Sequence, residues 1–239
     1  VAHWNFNGNA NDVSGKGHNG VPQNVTQTAG RAGKPNTAYL FNGTSSKIKV
    51  PYQADLNLSK FSICAVVKMN GFYTDLCQGN RILERGTEYG NGNYLLQFTD
   101  NAIDSSCSVT GDTSMFNYSI GRGNTPTYNK PWQSTNFLRS GSWHCVVGTF
   151  NDTVFKLYVD GVLQTTVAPA SSLGVGTSNE GISIGASSFG DTTLYPYWFN
   201  GLMDDLRLYD RALTASEVLT FCGNPDDTTA NTTGRWCSL

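Results

Sequence analysis

Glutamate is nearly missing from this 239-residue chain, occurring only at Glu84, Glu88, Glu180 and Glu217. Helical proteins lean on Glu for its helix propensity, so its scarcity points away from a helical fold. Charged residues of either sign make up only 14% of the chain, with a net charge of -2. That excludes the strongly basic surface that nucleic-acid binding rests on, and any polybasic membrane contact. No stretch approaches the ~20 consecutive apolar residues a membrane span requires. The chain opens at Val1 without a charged and apolar leader, so it reads as a mature or excised segment, expected to be a module of a larger protein. It has no CxxC, no Cys/His cluster and no zinc-type spacing.

What is abundant points to strands and turns. The chain is 38% hydrophobic and 12% aromatic with 26 Gly, enough to bury a core in one domain and to turn often. Short alternating runs recur: Ala38 to Phe41 ending in Asn42-Gly43, Lys47 to Val50, Phe61 to Met69, Arg81 to Arg85, Tyr94 to Phe98 and Trp143 to Phe150. Further strands are expected at Val154 to Val159, Gly181 to Gly185 and Leu202 to Tyr209, and Asp160-Gly161 is a type I′ hairpin signal. One helix start is convincing, the capping box Thr214-Ala215-Ser216-Glu217 before Val218, Leu219 and Phe221. The six cysteines, 64, 77, 107, 145, 222 and 237, form an even set that implies disulfides, hence an oxidising compartment, secreted or at the cell surface. The expected architecture is an all-β antiparallel jelly-roll sandwich with one short C-terminal helix, occupying residues 1–222, followed by a turn-rich tail or linker start at 223–239.

Three stretches carry a resemblance to the laminin-G-like, concanavalin A-like jelly rolls that include the pentraxins. They are Trp4-Asn5-Phe6-Asn7-Gly8-Asn9 through Gly20; Phe61 to Val67 with Trp143 to Phe150 and the Leu157-Tyr158-Val159-Asp160-Gly161 hairpin; and Asn200-Gly201-Leu202-Met203-Asp204-Asp205 through Tyr209 with Arg211 to Glu217. In the pentraxin branch the cysteines of the two corresponding strands pair, so the resemblance implies Cys64–Cys145. Sequence order then makes Cys77–Cys107 and Cys222–Cys237 the simplest completion.

The resemblance also implies a structural calcium ion between the amino-terminal loop and the acidic start of the last strand. Period two places Asp204 with Leu202, Leu206 and Leu208, and a carboxylate taken out of water needs a cation or several donors. Asp12 and Asp204 are the expected carboxylate ligands, with Asn7, Asn9 and a carbonyl near Gly20 completing the oxygen shell that calcium requires. The opposing reading makes the Asn residues turn builders and pairs Asp204 with an arginine. Asp205 is expected to be solvated beside Arg207. The pentraxin ligand calcium is not supported, because Ala186 to Asp191 offers a single acidic residue.

Catalysis is not expected. Glycoside hydrolysis needs two appropriately spaced carboxylates, and the Glu-x-Asp-x-x-Glu pattern of enzymes on this fold is missing. Glu84 is expected to pair with a neighbouring arginine, and His3, His18 and His144 are scattered. What remains is a recognition module for a glycan or an extracellular protein, since sugars are held by stacking aromatics beside fixed hydrogen-bonding groups. Arg85, Tyr89, Asn91, Tyr94, Tyr128, Trp132, Tyr195 and Trp198 are the candidate ligand-binding residues. The alternative is a structural or protein-interaction domain of an extracellular filament or adhesin.

Overall fold

A computed structural model describes residues 1–71, 79–86, 93–99, 115–121, 132–133, 138–139, 141–168, 177–187 and 196–223. In chain order the strands are β1 (Ala2–Trp4), β2 (Val21–Gln23), β3 (Thr26–Thr28), β4 (Ala38–Asn42), β5 (Lys47–Val50) and β6 (Phe61–Met69). Then come β7 (Gly79–Arg85), β8 (Tyr94–Thr99), β9 (Met115–Gly121), β10 (Trp132–Gln133) and β11 (Leu138–Arg139). The last are β12 (Trp143–Phe150), β13 (Phe155–Val159), β14 (Val162–Val167), β15 (Ile182–Ile184) and β16 (Asn200–Tyr209), before the helix α1 (Ala215–Gly223).

They form two antiparallel sheets. The first runs β14-β13-β12-β6-β16-β4-β3, with β1 also on β16; the second runs β10-β9-β8-β7-β15-β5-β2, with β11 on β9. Between them lies one core of alternating side chains, including Trp4, Phe6, Phe41, Phe61, Ile63, Leu96, Phe98, Phe150, Ile184, Phe199 and Leu206. Aromatic contacts such as Phe61 of β6 stacked on Tyr94 of β8, with centroids 5.1 Å apart, tie the sheets together.

The local signals are built as the residues demand. Asp160 and Gly161 both have positive φ, 51° and 80°, as a type I′ turn requires. Asn42 Oδ1 accepts the amides of Thr44, Ser45 and Ser46, closing the Asn-Gly turn. Thr214 N–H donates to Glu217 Oε2 at 2.8 Å and Glu217 N–H returns to Thr214 Oγ1 at 3.3 Å, completing the capping box.

Two expectations are corrected. Among the described residues a disulfide joins Cys145 to Cys222, with Cα atoms 5.4 Å apart, while Cys64 is a buried free thiol; neither Cys64–Cys145 nor Cys222–Cys237 forms. The register explains why. Cys145 lies opposite Val66 and Cys64 opposite Val147, so the two are offset along their strands. Helix α1 packs Val218, Phe221 and Cys222 onto the same outer face of the first sheet and brings Cys222 to Cys145. Cys77, Cys107 and Cys237 lie outside the described residues.

The second correction concerns β16. A bulge between Asp204 and Leu206 inserts Asp205, at φ 37°, and breaks the expected alternation. Met203, Leu206 and Leu208 face the core, and Asp204 lies in register with Val66 on the opposite face. Asp205, expected in solvent, is instead 9% exposed and bonded by His3 Nε2 at 2.8 Å and by Arg207 Nη2 at 2.7 Å.

Candidate functional site

The proposed calcium ligands have different partners. Asp12 is the brace of the amino-terminal loop. Its Oδ1 accepts the amides of His3 and Ser14, and its Oδ2 accepts the Ser14 hydroxyl and the His18 amide. Four donors match the four lone-pair positions of a carboxylate, so Asp12 does not fit as a metal ligand. Burial raises the Asp12 pKa, but these hydrogen bonds outweigh it and hold the carboxyl below its ordinary value. Asn9 Oδ1 closes a turn to the Asn11 amide, and Asn7 lies at an exposed turn where its amide donates to Asn5 Oδ1. Gly20 is fixed by packing, because a Cβ there would come within 2.5 Å of Ile48 Cγ2.

Asp204 fits better. Its Oδ2 accepts the Arg31 amide at 3.1 Å, and a Cβ on Gly30 would collide with it, so the loop backbone presses directly on the carboxylate. Burial pushes its pKa up to about 6, although the Arg31 amide and charge oppose the shift. The loop behind it reaches the amino-terminal segment through Gly8 N–H to the Asn36 carbonyl at 2.8 Å. Asp204 is therefore a half-buried carboxylate that accepts the backbone amides of Arg31 and Asp205. Among the described residues no group of three or more His, Cys, Asp or Glu side chains surrounds a common point.

The ligand-binding candidates also separate. Tyr94 is a core residue, stacked on Phe61 at 5.1 Å, with its hydroxyl donating to the Leu56 carbonyl at 3.2 Å. Arg85 is fully buried beside it, and its Nη2 donates to Asn57 Oδ1 and to the Ser178 carbonyl, both at 2.7 Å, tying loops together. Trp198 is half-buried, with the Lys47 ammonium 5.6 Å from its ring. The backbone of Trp132 pairs with Ile120, which pairs with Leu96. Tyr89, Asn91, Tyr128 and Tyr195 lie outside the described residues.

The structure reveals a different cluster, on the face of the second sheet turned away from the core. In β8, Tyr94, Leu96 and Phe98 belong to the core, so Leu95 and Gln97 face outward. The ladder sets Arg81 opposite Gln97, Glu84 opposite Leu95, and Ser183 opposite both Glu84 and Lys49. Arg81 Nε lies 3.4 Å from Glu84 Oε2, and Asn93 Nδ2 donates to Glu84 Oε1 at 3.4 Å. The Arg81 guanidinium sits over the Tyr197 ring, 4.4 Å from its centroid, and its amide donates to the Tyr197 carbonyl. Gln97 Oε1, Ser183 Oγ and Asn93 Oδ1 are buried, with no hydrogen-bond partner among the described residues. A buried acceptor left unpaired carries a desolvation cost of about 1–3 kcal/mol, which a water or a polar ligand removes. Glu84 pairs with an arginine as expected. Gln97, Ser183 and Tyr197 were not singled out by the sequence, although Ser183 between Ile182 and Ile184, and Gln97 between Leu96 and Phe98, carry the alternation that would find them.

Two antiparallel sheets with a polar outer face define a concanavalin A-like jelly roll. The chain belongs to the Laminin_G_3 family, described as the concanavalin A-like lectin/glucanases superfamily, which it matches over residues 42–219. Among solved structures it is similar to domain 4 of AbnA, an extracellular arabinanase of Geobacillus stearothermophilus, in complex with arabinotriose. That similarity has TM-score 0.63 and 20% identity and covers 92% of this chain and 97% of that one. It is also similar to a heptameric SAP-like pentraxin from Limulus polyphemus, with TM-score 0.56 and 15% identity, covering 77% and 81%. A third similarity is to botulinum neurotoxin type C, whose cell entry depends on two ganglioside molecules, with TM-score 0.60 and 14% identity. It covers 93% of this chain and half of the toxin chain. A comparison with curated protein sequences finds no match.

Proposed function

We propose that the chain is a non-catalytic, extracellular glycan-binding module whose binding face is the outer face of the second sheet. One observation carries this reading: the buried, unpartnered oxygens of Gln97 and Ser183 beside the Arg81–Tyr197 stack. Amide, hydroxyl, guanidinium and aromatic groups held rigidly on strands are the mixture that sugar hydroxyls and CH faces use. The arabinotriose complex of the AbnA domain and the ganglioside dependence of the neurotoxin agree with it. The non-catalytic part is supported by Glu84, the one carboxylate among the described residues of this face, engaged by Arg81 and Asn93, whereas hydrolysis needs two carboxylates in separate roles. A calcium ion at Asp204, held with carbonyls of the adjoining loops, would neutralise its carboxylate and fix those loops. The oxidising compartment is supported by the Cys145–Cys222 bridge. An oligosaccharide array tests the reading: binding that is lost on Gln97→Ala with folding retained supports it, and a clean array overturns it.

A second reading, a protein-interaction domain, is favoured by one feature. Strand β14 ends the first sheet and exposes Val162 and Leu163, 62% and 47% accessible, next to Leu219 at 61%. Concentration-dependent self-association together with a clean array would favour it.

A further inference from the structure

We infer that the β5 rim of the same face receives an anionic sugar, a uronate or a sulfated residue, with Lys47 and Lys49 as its counter-charges; this rests on the glycan-binding reading above. In β5, Ile48 and Val50 are buried in the core, so Lys47 and Lys49 project together from the outer face. Two residues apart on one strand, their stems rise about 7 Å from each other, a span that one carboxylate or sulfate on a sugar ring bridges. Among the described residues neither lysine meets a carboxylate at ion-pair distance.

Among the described residues, the surroundings favour an anion at this rim. On one side β2 contributes only Val21, Pro22 and Gln23, all uncharged, opposite Lys49, Ile48 and Lys47. On the other side Ser183 lies opposite Lys49 with its Oγ buried and unpartnered, a donor for an anion or for a ring hydroxyl. Beyond Ser183 stands Glu84, whose charge is engaged by Arg81, so neither of the two is a free counter-charge for the rim. Lys47 is held 5.6 Å over the half-buried Trp198, which places an aromatic surface beside the charge. Burial lowers the Lys47 pKa and the like charge of Lys49 lowers it further, a strain that a bound anion relieves. In a chain of net charge -2 this is a local excess of positive charge that no carboxylate among the described residues pairs with.

The test is calorimetric titration of the full chain with oligosaccharides matched in size and differing in charge: neutral galactotriose, trigalacturonate and a sulfated galactan oligomer. The expected result is roughly tenfold tighter binding of a charged form, about 1.4 kcal/mol, weakening as salt is raised. Lys47→Ala with Lys49→Ala should remove that advantage while leaving galactotriose affinity and melting temperature unchanged, and the double Arg variant should retain it. Preference for trigalacturonate or for the sulfated oligomer identifies which anion is read, and either supports the inference. Equal binding of neutral and charged forms, or an unaffected double Ala variant, overturns the inference and leaves the glycan-binding reading standing. A chain that binds no oligosaccharide on the array overturns both.

Discussion

Arg81 is held between Tyr197 and Glu84: its guanidinium carbon lies 4.4 Å from the Tyr197 ring centroid and its Nε lies 3.4 Å from Glu84 Oε2. A buried cation so flanked is a structural pivot. Glu84→Gln leaves the Arg81 charge without its counter-ion, and the expected loss is about 3–5 kcal/mol of stability, read by denaturant unfolding. If Glu84 were a catalytic acid instead, the Gln variant would abolish polysaccharide turnover with little change in stability.

Gln97 behaves oppositely. Its Oε1 is buried without a partner, so Gln97→Ala removes an unsatisfied acceptor as well as some packing. The expected change in unfolding free energy is within about 1 kcal/mol, because the relieved desolvation offsets the lost contacts. Sugar affinity should fall by roughly tenfold over the same substitution.

Asp204 links stability to pH and to metal. In the ion-free chain burial raises its pKa to about 6, so the folded state keeps a proton that the unfolded chain releases near the ordinary value of 3.8. The folded state binds more protons across that window, so this contribution falls as pH rises from about 4 to 6, by roughly 2–3 kcal/mol. Calcium at Asp204 would restore it: at neutral pH, saturating calcium should raise the melting temperature by roughly 5–10 °C over the chelated protein. Asp204→Asn should flatten both responses, whereas Asp12→Ala should destabilise the protein with or without calcium.

Asp205 sets the acid limb. Burial alone would raise its pKa, but hydrogen bonds from His3 and Arg207 overcome this and hold it at about 2. Its folded pKa is depressed, so the stability it gives is complete above the unfolded pKa and is lost as pH falls toward 2. That loss is about 2 kcal/mol. Unfolding curves between about pH 5 and pH 2 should show this slope, and Asp205→Asn should remove it.

The bridge gives a covalent test. Peptide mapping under non-reducing conditions should recover a peptide linking Cys145 to Cys222, with Cys64 alkylated only after unfolding, because its thiol is buried. A Cys64–Cys145 peptide would contradict the helix α1 placement.

Strands, turns and the helix cap were legible because each rests on local chemistry: alternation at Lys47 to Val50, positive φ at Asp160-Gly161, reciprocal bonds at Thr214 and Glu217. Pairings between distant residues were not. The bulge at Asp205 turns Asp204 to the outer face and buries Asp205 against His3 and Arg207, and nothing in Asp204-Asp205-Leu206 announces it. Cys222 reaches Cys145 only because helix α1 folds back on the first sheet. Tyr94 and Arg85 read as ligand residues by type, yet their register with Leu56 and Asn57 places them inside. Gln97 is a lone amide in an apolar strand, and only the pairing of β8 with β7 sets it opposite Arg81.

The most direct measurement is the affinity of wild type and Gln97→Ala for the tightest array ligand, taken beside their melting temperatures. Wild-type binding, weakened roughly tenfold in a variant that melts within a few degrees of it, is the expected result. Equal affinity in the two proteins, or affinity lost only in step with unfolding, would contradict a binding site on this face.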